Sequence, residues 1–129
     1  MKSKATKGLK GKADREFSLA IRTIGRCEFC GKRDTLQCMH IISRRYAQTR
    51  TSFRNAYCGC AGCHLKYTAN PLLFAEKVLE SNLGPYVESE RLKAYSTTAP
   101  KVDWQDRYEI ARLITSKQFT VEDARTDDI

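Results

Sequence analysis

Two closely spaced cysteine pairs constrain what this chain can fold into more than any other feature of its sequence. Two residues separate Cys27 from Cys30, two separate Cys60 from Cys63, and 29 residues lie between the pairs. A Cys-x-x-Cys turn directs both sulfurs toward a single ion, and two such turns complete a tetrahedral four-cysteine site. The spacing therefore predicts a zinc ion held by all four thiolates. Because no coordination position stays open, that zinc would be structural and would join the ends of the intervening segment.

Two disulfides, or buried free thiols, are the alternatives to zinc. The N-terminus is rich in lysine but lacks the apolar stretch of a secretory signal, and no apolar run approaches the ~20 residues of a transmembrane helix. We therefore expect a cytoplasmic protein without membrane association, and paired thiols in a reducing cytoplasm favour metal. The remaining cysteines, Cys38 and Cys58, are expected to face each other as small buried hydrophobic residues. In the alternative, Cys38 contacts a catalytic metal.

Positive charge is concentrated in the first part of the chain. Residues 1–54 contain 14 Lys and Arg against 4 Asp and Glu, whereas residues 55–129 contain 9 against 11. A basic part beside a mildly acidic part is typical of a one-sided surface that binds a polyanion such as DNA. The alternative is a basic tail that only aids solubility. Residues 1–13 hold five lysines and little apolar surface, which predicts a flexible basic arm.

The length of 129 residues suits a single domain, which we expect over residues 14–118, followed by an acidic tail over residues 119–129 that frays. Apolar residues at helical spacing predict helices over residues 14–24, 61–68, 71–83, 86–95 and 104–114. Asp14 and Asn70 are the expected N-caps of the first and third of these helices. Alternation predicts a strand over residues 35–42, to which residues 56–59 pair back. The predicted fold class is α+β.

The two histidines of the chain lie on and just after this predicted hairpin. His40 is on the first strand, Asn55 comes just before the second, and His64 follows Cys63 at the start of the next helix. Strand, loop, strand and helix that carry His, Asn and His in this order make up the ββα-metal arrangement. The alternatives are that His64 is a spare zinc ligand and that His40 is merely buried.

Residues 27–74 resemble the HNH endonuclease family. The resemblance lies in the CEFC pair, the QCMHIISRR strand, the Asn of RTSFRNA and the CGCAGCH helix start. The run TRTSFRNAYCGCAGCHLKYTANPLLFAEKV is especially similar to short HNH proteins of phages and prophages, and more loosely to NinG/Rap-type phage recombination nucleases. The resemblance implies a zinc-stapled ββα-metal core over residues 27–69, flanked by helices on both sides, with C-terminal helices over residues 71–118. It also implies a metal-dependent endonuclease that hydrolyses phosphodiester bonds in DNA.

The resemblance assigns expected roles to individual side chains. His40 would be the general base that deprotonates a water, Asn55 would hold the loop and orient His40, and His64 would ligate a catalytic Mg²⁺ or Mn²⁺. A neutral imidazole suits the first task, and a divalent ion neutralises charge at the phosphoryl oxygens. Arginines of the loop between the strands would position phosphates through their guanidinium groups, namely Arg44, Arg45, Arg50 and Arg54.

Met39 departs from the family pattern, in which an Asp or His directly before the base is often a second metal ligand. A thioether does not suit Mg²⁺. Either His64 suffices together with phosphate and waters, or Asn55 or Cys38 joins the site, or the site has decayed. The alternative function is therefore a zinc-stapled DNA-binding module with a vestigial catalytic site.

Overall fold

The computed structural model describes residues 4–129, with side chains from residue 8 onward. The described residues form six α-helices and one two-stranded sheet, in the order α1 (Lys4–Arg22), β1 (Leu36–His40), β2 (Ala56–Cys60), α2 (Ala61–Ala69), α3 (Pro71–Glu80), α4 (Val87–Tyr95), α5 (Trp104–Thr115) and α6 (Val121–Asp127). Short 3-10 turns at Phe53–Asn55 and Gly84–Tyr86 precede β2 and α4. The predicted α+β class is confirmed, and β1, β2 and α2 follow one another as expected.

β1 and β2 form an antiparallel hairpin whose register places Cys38 opposite Cys58, as predicted. Burial raises the pKa of Cys38 to about 12 and that of Cys58 to about 11. Both side chains are therefore neutral thiols at ordinary pH and pack as small hydrophobic residues, and Cys38 lies outside the group of described side chains positioned to hold a metal. β1 is shorter than the predicted strand because Thr35 has a left-handed backbone, with a φ of 56°.

The hairpin has a hydrophobic core on each of its faces. On one face, Phe17 and Ile21 of α1 pack with Cys58 and with apolar residues of α5 and α6. On the other face, Met39 and Tyr57 pack with apolar residues of α2 and α3, beside an aromatic group in which the rings of Phe29, Tyr57, Tyr67 and Phe74 contact one another. Alternate side chains of a strand point to opposite faces, so neighbours such as Met39 and His40 enter different surroundings. Within the described residues, every helix is too short or too polar to cross a membrane.

The expected flexible arm over residues 1–13 is wrong for residues 4–13, and residues 1–3 lie outside the described part of the chain. Residues 4–13 form the first part of α1, which packs against α5. Ala13 is fully buried, and the ammonium groups of Lys10 and Lys12 lie 5.6 Å and 4.4 Å from the ring centroids of Trp104 and Tyr108. The ammonium groups of these two lysines thus lie over aromatic rings of α5, which a count of lysines alone does not reveal.

Asp14 is likewise not an N-cap, because it lies inside α1 and binds Arg50 instead. Asn70 does occupy the cap position before Pro71, but its side chain donates to the Lys66 carbonyl of the preceding helix rather than capping α3.

The acidic tail over residues 119–129 does not fray as predicted, because it contains α6. Thr120 and Asp123 form a capping box, in which each side chain bonds the backbone N–H of the other residue. Val121 and Ala124 are buried in the first core. Arg125 is also buried, with 3 % of its surface exposed. The domain therefore extends beyond residue 118 to the end of the chain.

Candidate functional site

The four cysteines of the two Cys-x-x-Cys turns come together in space. The sulfurs of Cys27, Cys30, Cys60 and Cys63 all lie within 4.8 Å of one another, and those of Cys30 and Cys60 are 3.7 Å apart. Zinc–sulfur bonds of about 2.3 Å in a tetrahedron require sulfur separations of roughly 3.8 Å. The four thiols are therefore positioned to bind one metal ion. Within the described residues, this is the only group of three or more Cys, His, Asp or Glu side chains positioned to do so.

Local backbone bonds shape each cysteine turn. In the first, Cys27 N–H donates to the Lys32 carbonyl at 2.7 Å and Gly31 N–H donates to the Cys27 carbonyl at 2.9 Å. Gly31 has a φ of +81°, which a residue with a Cβ rarely adopts. In the second, the Cys60 sulfur accepts from Cys63 N–H at 3.4 Å, so it caps α2 as well.

Ionisation differs among these thiols. Burial opposes ionisation of Cys27, but hydrogen bonds from backbone groups of the two turns outweigh it and lower the pKa of Cys27 to about 6. Burial and hydrogen bonds with the neighbouring thiols raise the pKa of Cys63. A cation favours the thiolate form of every ligand, so metal and protons compete for this cluster.

His40 ends β1 and lies half-buried against α1, with its ring centroid 5.8 Å from that of Phe17. Its Nε2 is 2.9 Å from the backbone carbonyl oxygen of Arg50. Because a carbonyl oxygen only accepts, Nε2 carries the hydrogen and Nδ1 of the neutral ring keeps its lone pair. Burial lowers the pKa of His40 below 6.5, and the positive charges of Arg44 and Arg50 act in the same direction, although the Arg50 carbonyl opposes them.

Asn55 holds the loop between the strands closed. Its Oδ1 accepts from Ile42 N–H at 2.7 Å, and its Nδ2 donates to the carbonyls of Ile42 and Thr49 at 3.1 Å and 3.0 Å. The side chain is fully buried, so these three bonds replace its hydration. In the described part of the chain no hydrogen bond joins Asn55 to His40. Asn55 therefore holds the loop as expected, while the direct contact that orients His40 comes from Arg50.

His64 lies in the first turns of α2, half-buried, with Nδ1 2.6 Å from the Gln37 side-chain oxygen. The two histidines line a common pocket of about 200 Å³ together with Met39, Ile41, Tyr67, Thr68 and Phe74. The lining contains no carboxylate. Met39 is 2 % exposed, and its thioether fills the space beside Gly59 that any larger residue there would need. The pocket therefore offers the imidazoles of His40 and His64, and the Gln37 amide oxygen beside His64 already bonds that ring, which does not make a complete protein site for Mg²⁺.

The four loop arginines divide into two groups. Arg50 and Arg54 are engaged internally: Arg50 binds Asp14, and Arg54 donates to the carbonyls of Arg125 and Thr126 and pairs with Asp128. Arg44 and Arg45 are exposed, and Arg45 lies 5.1 Å from the ring of Tyr46. The internal bonds of the first two argue against the phosphate-binding role that the sequence suggested for them, whereas Arg44 and Arg45 stay accessible.

A cleft of about 400 Å³ between α1 and β1 brings the predicted site residues His40 and Arg44 together with residues of α1 that the sequence did not associate with the site. α1 contributes Asp14, Arg15, Phe17, Ser18 and Arg22, and β1 with the following loop contributes Leu36, Gln37, Cys38, His40 and Arg44. Arg15, Ser18 and Arg22 follow one another at three- and four-residue spacing, so a single face of the helix presents them. This spacing was readable within the predicted first helix. The sequence did not show that this face of the helix lies beside His40.

Comparison with known proteins identifies no relative. None of the protein-family models searched matches the sequence. Neither the curated proteins nor the solved structures yield a significant match.

Proposed function

We propose that the protein is a small HNH-type endonuclease that hydrolyses phosphodiester bonds in DNA, within a ββα core stapled by zinc. The observation that carries the proposal is the state of His40. Its Nε2 is engaged by the Arg50 carbonyl at 2.9 Å, and its pKa is lowered. Such a ring is neutral at pH 7 and keeps Nδ1 as a proton acceptor. It also lines a cleft rich in arginine.

In the proposed reaction, His40 Nδ1 takes a proton from a water as the water oxygen attacks phosphorus. The bond from phosphorus to the 3′ oxygen breaks, and that oxygen takes a proton from solvent, which leaves 5′-phosphate and 3′-hydroxyl ends. A positioned general base contributes about 10²–10⁴ to the rate. Arg44, exposed beside His40, would lie near the negative charge that builds up on the phosphoryl oxygens.

Zinc in the four-cysteine cluster would act only on the fold. Its ligands come from the turn after α1 and from the junction of β2 and α2. One ion would thereby join both ends of the segment that contains the hairpin, His40 and Asn55. Four thiolates leave zinc no position for water or substrate.

The second metal that the resemblance implies, Mg²⁺ or Mn²⁺, fits this chain poorly. Near His64 the protein offers the Gln37 amide oxygen, and Met39 stands where the family pattern places a ligand. Mg²⁺ usually binds one or two carboxylates besides phosphate and water. We therefore assign no step to this ion, and the experiment below tests whether cleavage needs it.

The second candidate is a zinc-stapled DNA-binding module without catalysis. The burial of Met39 and the lack of a carboxylate in the histidine pocket favour it. It accounts for the basic surface and the cysteine cluster, but assigns no use to the neutral His40.

A plasmid assay separates the two candidates. Zinc-loaded protein is incubated with supercoiled DNA in Mg²⁺, in Mn²⁺ and without an added divalent ion, beside His40→Ala and Leu92→Ala. Leu92 is 69 % exposed on α4, so Leu92→Ala controls for the effect of a substitution outside the proposed site. We expect nicked or linear product from wild type and Leu92→Ala and a loss of about 10² or more for His40→Ala. If none of the proteins cut DNA in any metal while DNA binding stayed intact, the binding module would be the better candidate. Equal cleavage by wild type, Leu92→Ala and His40→Ala would show that His40 is not the general base.

A further inference from the structure

We infer that the cleft between α1 and β1 binds the sugar–phosphate backbone of one DNA strand, with Arg15, Arg22 and Arg44 as its phosphate ligands. The inference rests on the proposed function in that it takes DNA as the substrate. It adds arginines of helix α1 to the catalytic and DNA-binding residues predicted from the sequence, which lie in the hairpin, its loop and α2.

The charges of the cleft are free for a ligand. Among the described residues, the guanidinium of Arg15 has no hydrogen-bond or ion-pair partner, and Arg22 uses only Nε, which donates to the Ser18 carbonyl at 3.2 Å. Arg44 gives its backbone carbonyl to Arg50 and leaves its exposed side chain to solvent. Guanidinium groups in this state present paired N–H donors that match phosphate oxygens.

The single carboxylate of the cleft does not offset these charges. Asp14 is the only acidic residue in its lining. Two hydrogen bonds of 2.7 Å and 2.6 Å from Arg50 already neutralise it. The cleft therefore has a net positive charge from three guanidinium groups, in a concave surface that concentrates the field.

The spacing along α1 suits a run of phosphates. Arg15 and Arg22 are seven residues apart on one helix face, or about 10 Å at ~1.5 Å per residue. Measured along the axis of a duplex, that length corresponds to a rise of about three base pairs at ~3.4 Å each. Two lysines of the same helix have other contacts, since Lys10 and Lys12 lie over the rings of Trp104 and Tyr108 on α5. The arginines of α1 therefore form a track that leads to His40.

Fluorescence anisotropy with a labelled DNA duplex tests the track without relying on cleavage. Zinc-loaded protein in the His40→Ala background, with no added divalent ion, is titrated over a range of salt concentrations. The test variant combines Arg15→Gln and Arg22→Gln, and Arg15→Lys with Arg22→Lys retains the charge. The control combines Arg33→Gln and Arg91→Gln, which removes two exposed charges outside the cleft. Circular dichroism and zinc content verify that each variant is folded.

We expect the glutamine pair in the cleft to weaken binding at least tenfold and to flatten the plot of log K against log salt by about 1.8, since each lost phosphate contact contributes about 0.9. The lysine pair should keep most of the slope, and the control pair should keep both affinity and slope. Equal losses in cleft and control variants, or none in the cleft variant, would overturn the inference. Failure of the proposed function is distinguishable, because a protein that never cuts DNA would still show the arginine dependence if the track is real.

Discussion

Arg50 and Asp14 form a two-pronged ion pair that connects the loop between the strands to helix α1. Arg50 Nε and Nη2 donate to the two Asp14 carboxylate oxygens at 2.7 Å and 2.6 Å, and less than a fifth of either side chain is exposed. The backbone carbonyl of the same arginine bonds His40 Nε2. The position of the imidazole therefore depends on a contact between two segments that are 36 residues apart in the chain.

Asp14→Asn should weaken this contact. We expect the free energy of unfolding to fall by about 1.5–3 kcal/mol, the usual value for hydrogen bonds to charged groups. In a cleavage assay kcat should drop by about 10- to 100-fold because the base is less precisely placed. DNA affinity should stay the same or increase, since the change removes a negative charge from the cleft. Urea denaturation and steady-state kinetics measure both.

Asp34→Asn is the matched control for this prediction. It removes a carboxylate from an exposed ion pair with Lys32, in which the side chains are 71 % and 55 % exposed. Exposed pairs contribute little, so stability and kcat should stay near wild type. If Asp14→Asn resembled this control in both measurements, the ion pair would not position His40.

The pH dependence of cleavage should reflect the lowered pKa of His40. A base with a pKa below 6.5 stays neutral to lower pH than a free imidazole, so activity should persist at pH 6.5 and decline only below it. Stability should change in the same direction. As the pH falls below about 6.5, the unfolded chain takes up a proton that folded His40 resists, and the folded state loses stability.

His40→Gln isolates this contribution. The difference in unfolding free energy between wild type and His40→Gln should be constant above about pH 7 and should shift against wild type as the pH falls below about 6.5. Denaturation between pH 5 and pH 8, with zinc content monitored at each point, measures it. A pH-independent difference would mean that His40 titrates normally in the folded protein.

Removal of the metal should unfold the hairpin segment. We expect about one zinc per chain, from the ligand count, and a loss of cooperative unfolding after chelation. Cys30→Ser should bind zinc poorly and give a molten or insoluble product. Cys38→Ser should keep its zinc, because Cys38 lies outside the four-sulfur cluster. Folded, soluble wild-type protein without zinc would refute the structural role of the ion.

Local spacing predicted the parts of the fold that depend on neighbouring residues. The cysteine turns, the hairpin with Cys38 opposite Cys58, and the start of α3 at Pro71 follow from patterns a few residues long. The ion pair between Asp14 and Arg50 could not be predicted in this way. Asp14 satisfied the rule for an N-cap, and only packing of α1 against the hairpin places it opposite Arg50.

Charge composition was the least reliable guide to the two ends of the chain and to the site. Five lysines suggested a free arm, but the ammonium groups of two of them lie over aromatic rings of α5. All four loop arginines suggested phosphate ligands, but Arg54 instead binds the carbonyl groups of Arg125 and Thr126 at the C-terminus. Counting charges shows how many are present. Which of them are free depends on tertiary contacts between distant segments.

Arg125 shows how the last helix contributes to the core and gives the final prediction. It donates to both Glu28 carboxylate oxygens at 2.7 Å and 3.1 Å, and to the carbonyls of Phe53 and Ala56 at 2.9 Å and 2.7 Å. Glu28 in turn accepts from Cys58 N–H at 2.8 Å. This buried group joins α6 to the first cysteine turn and to β2.

Arg125→Met should destabilise the protein by about 3–5 kcal/mol, because it removes the only cation paired with the largely buried Glu28 carboxylate and leaves it the Cys58 N–H alone. Arg112→Met is the control, since that arginine is 52 % exposed and its partner Glu16 also accepts from the Thr115 hydroxyl. We expect it to cost at most about 1 kcal/mol. Adding Glu28→Gln to Arg125→Met should restore part of the stability by removing the unpaired charge. Urea denaturation of the zinc-loaded proteins measures all three. If Arg125→Met were no more costly than the control, α6 would be a surface addition, and truncation after residue 119 would leave the fold intact.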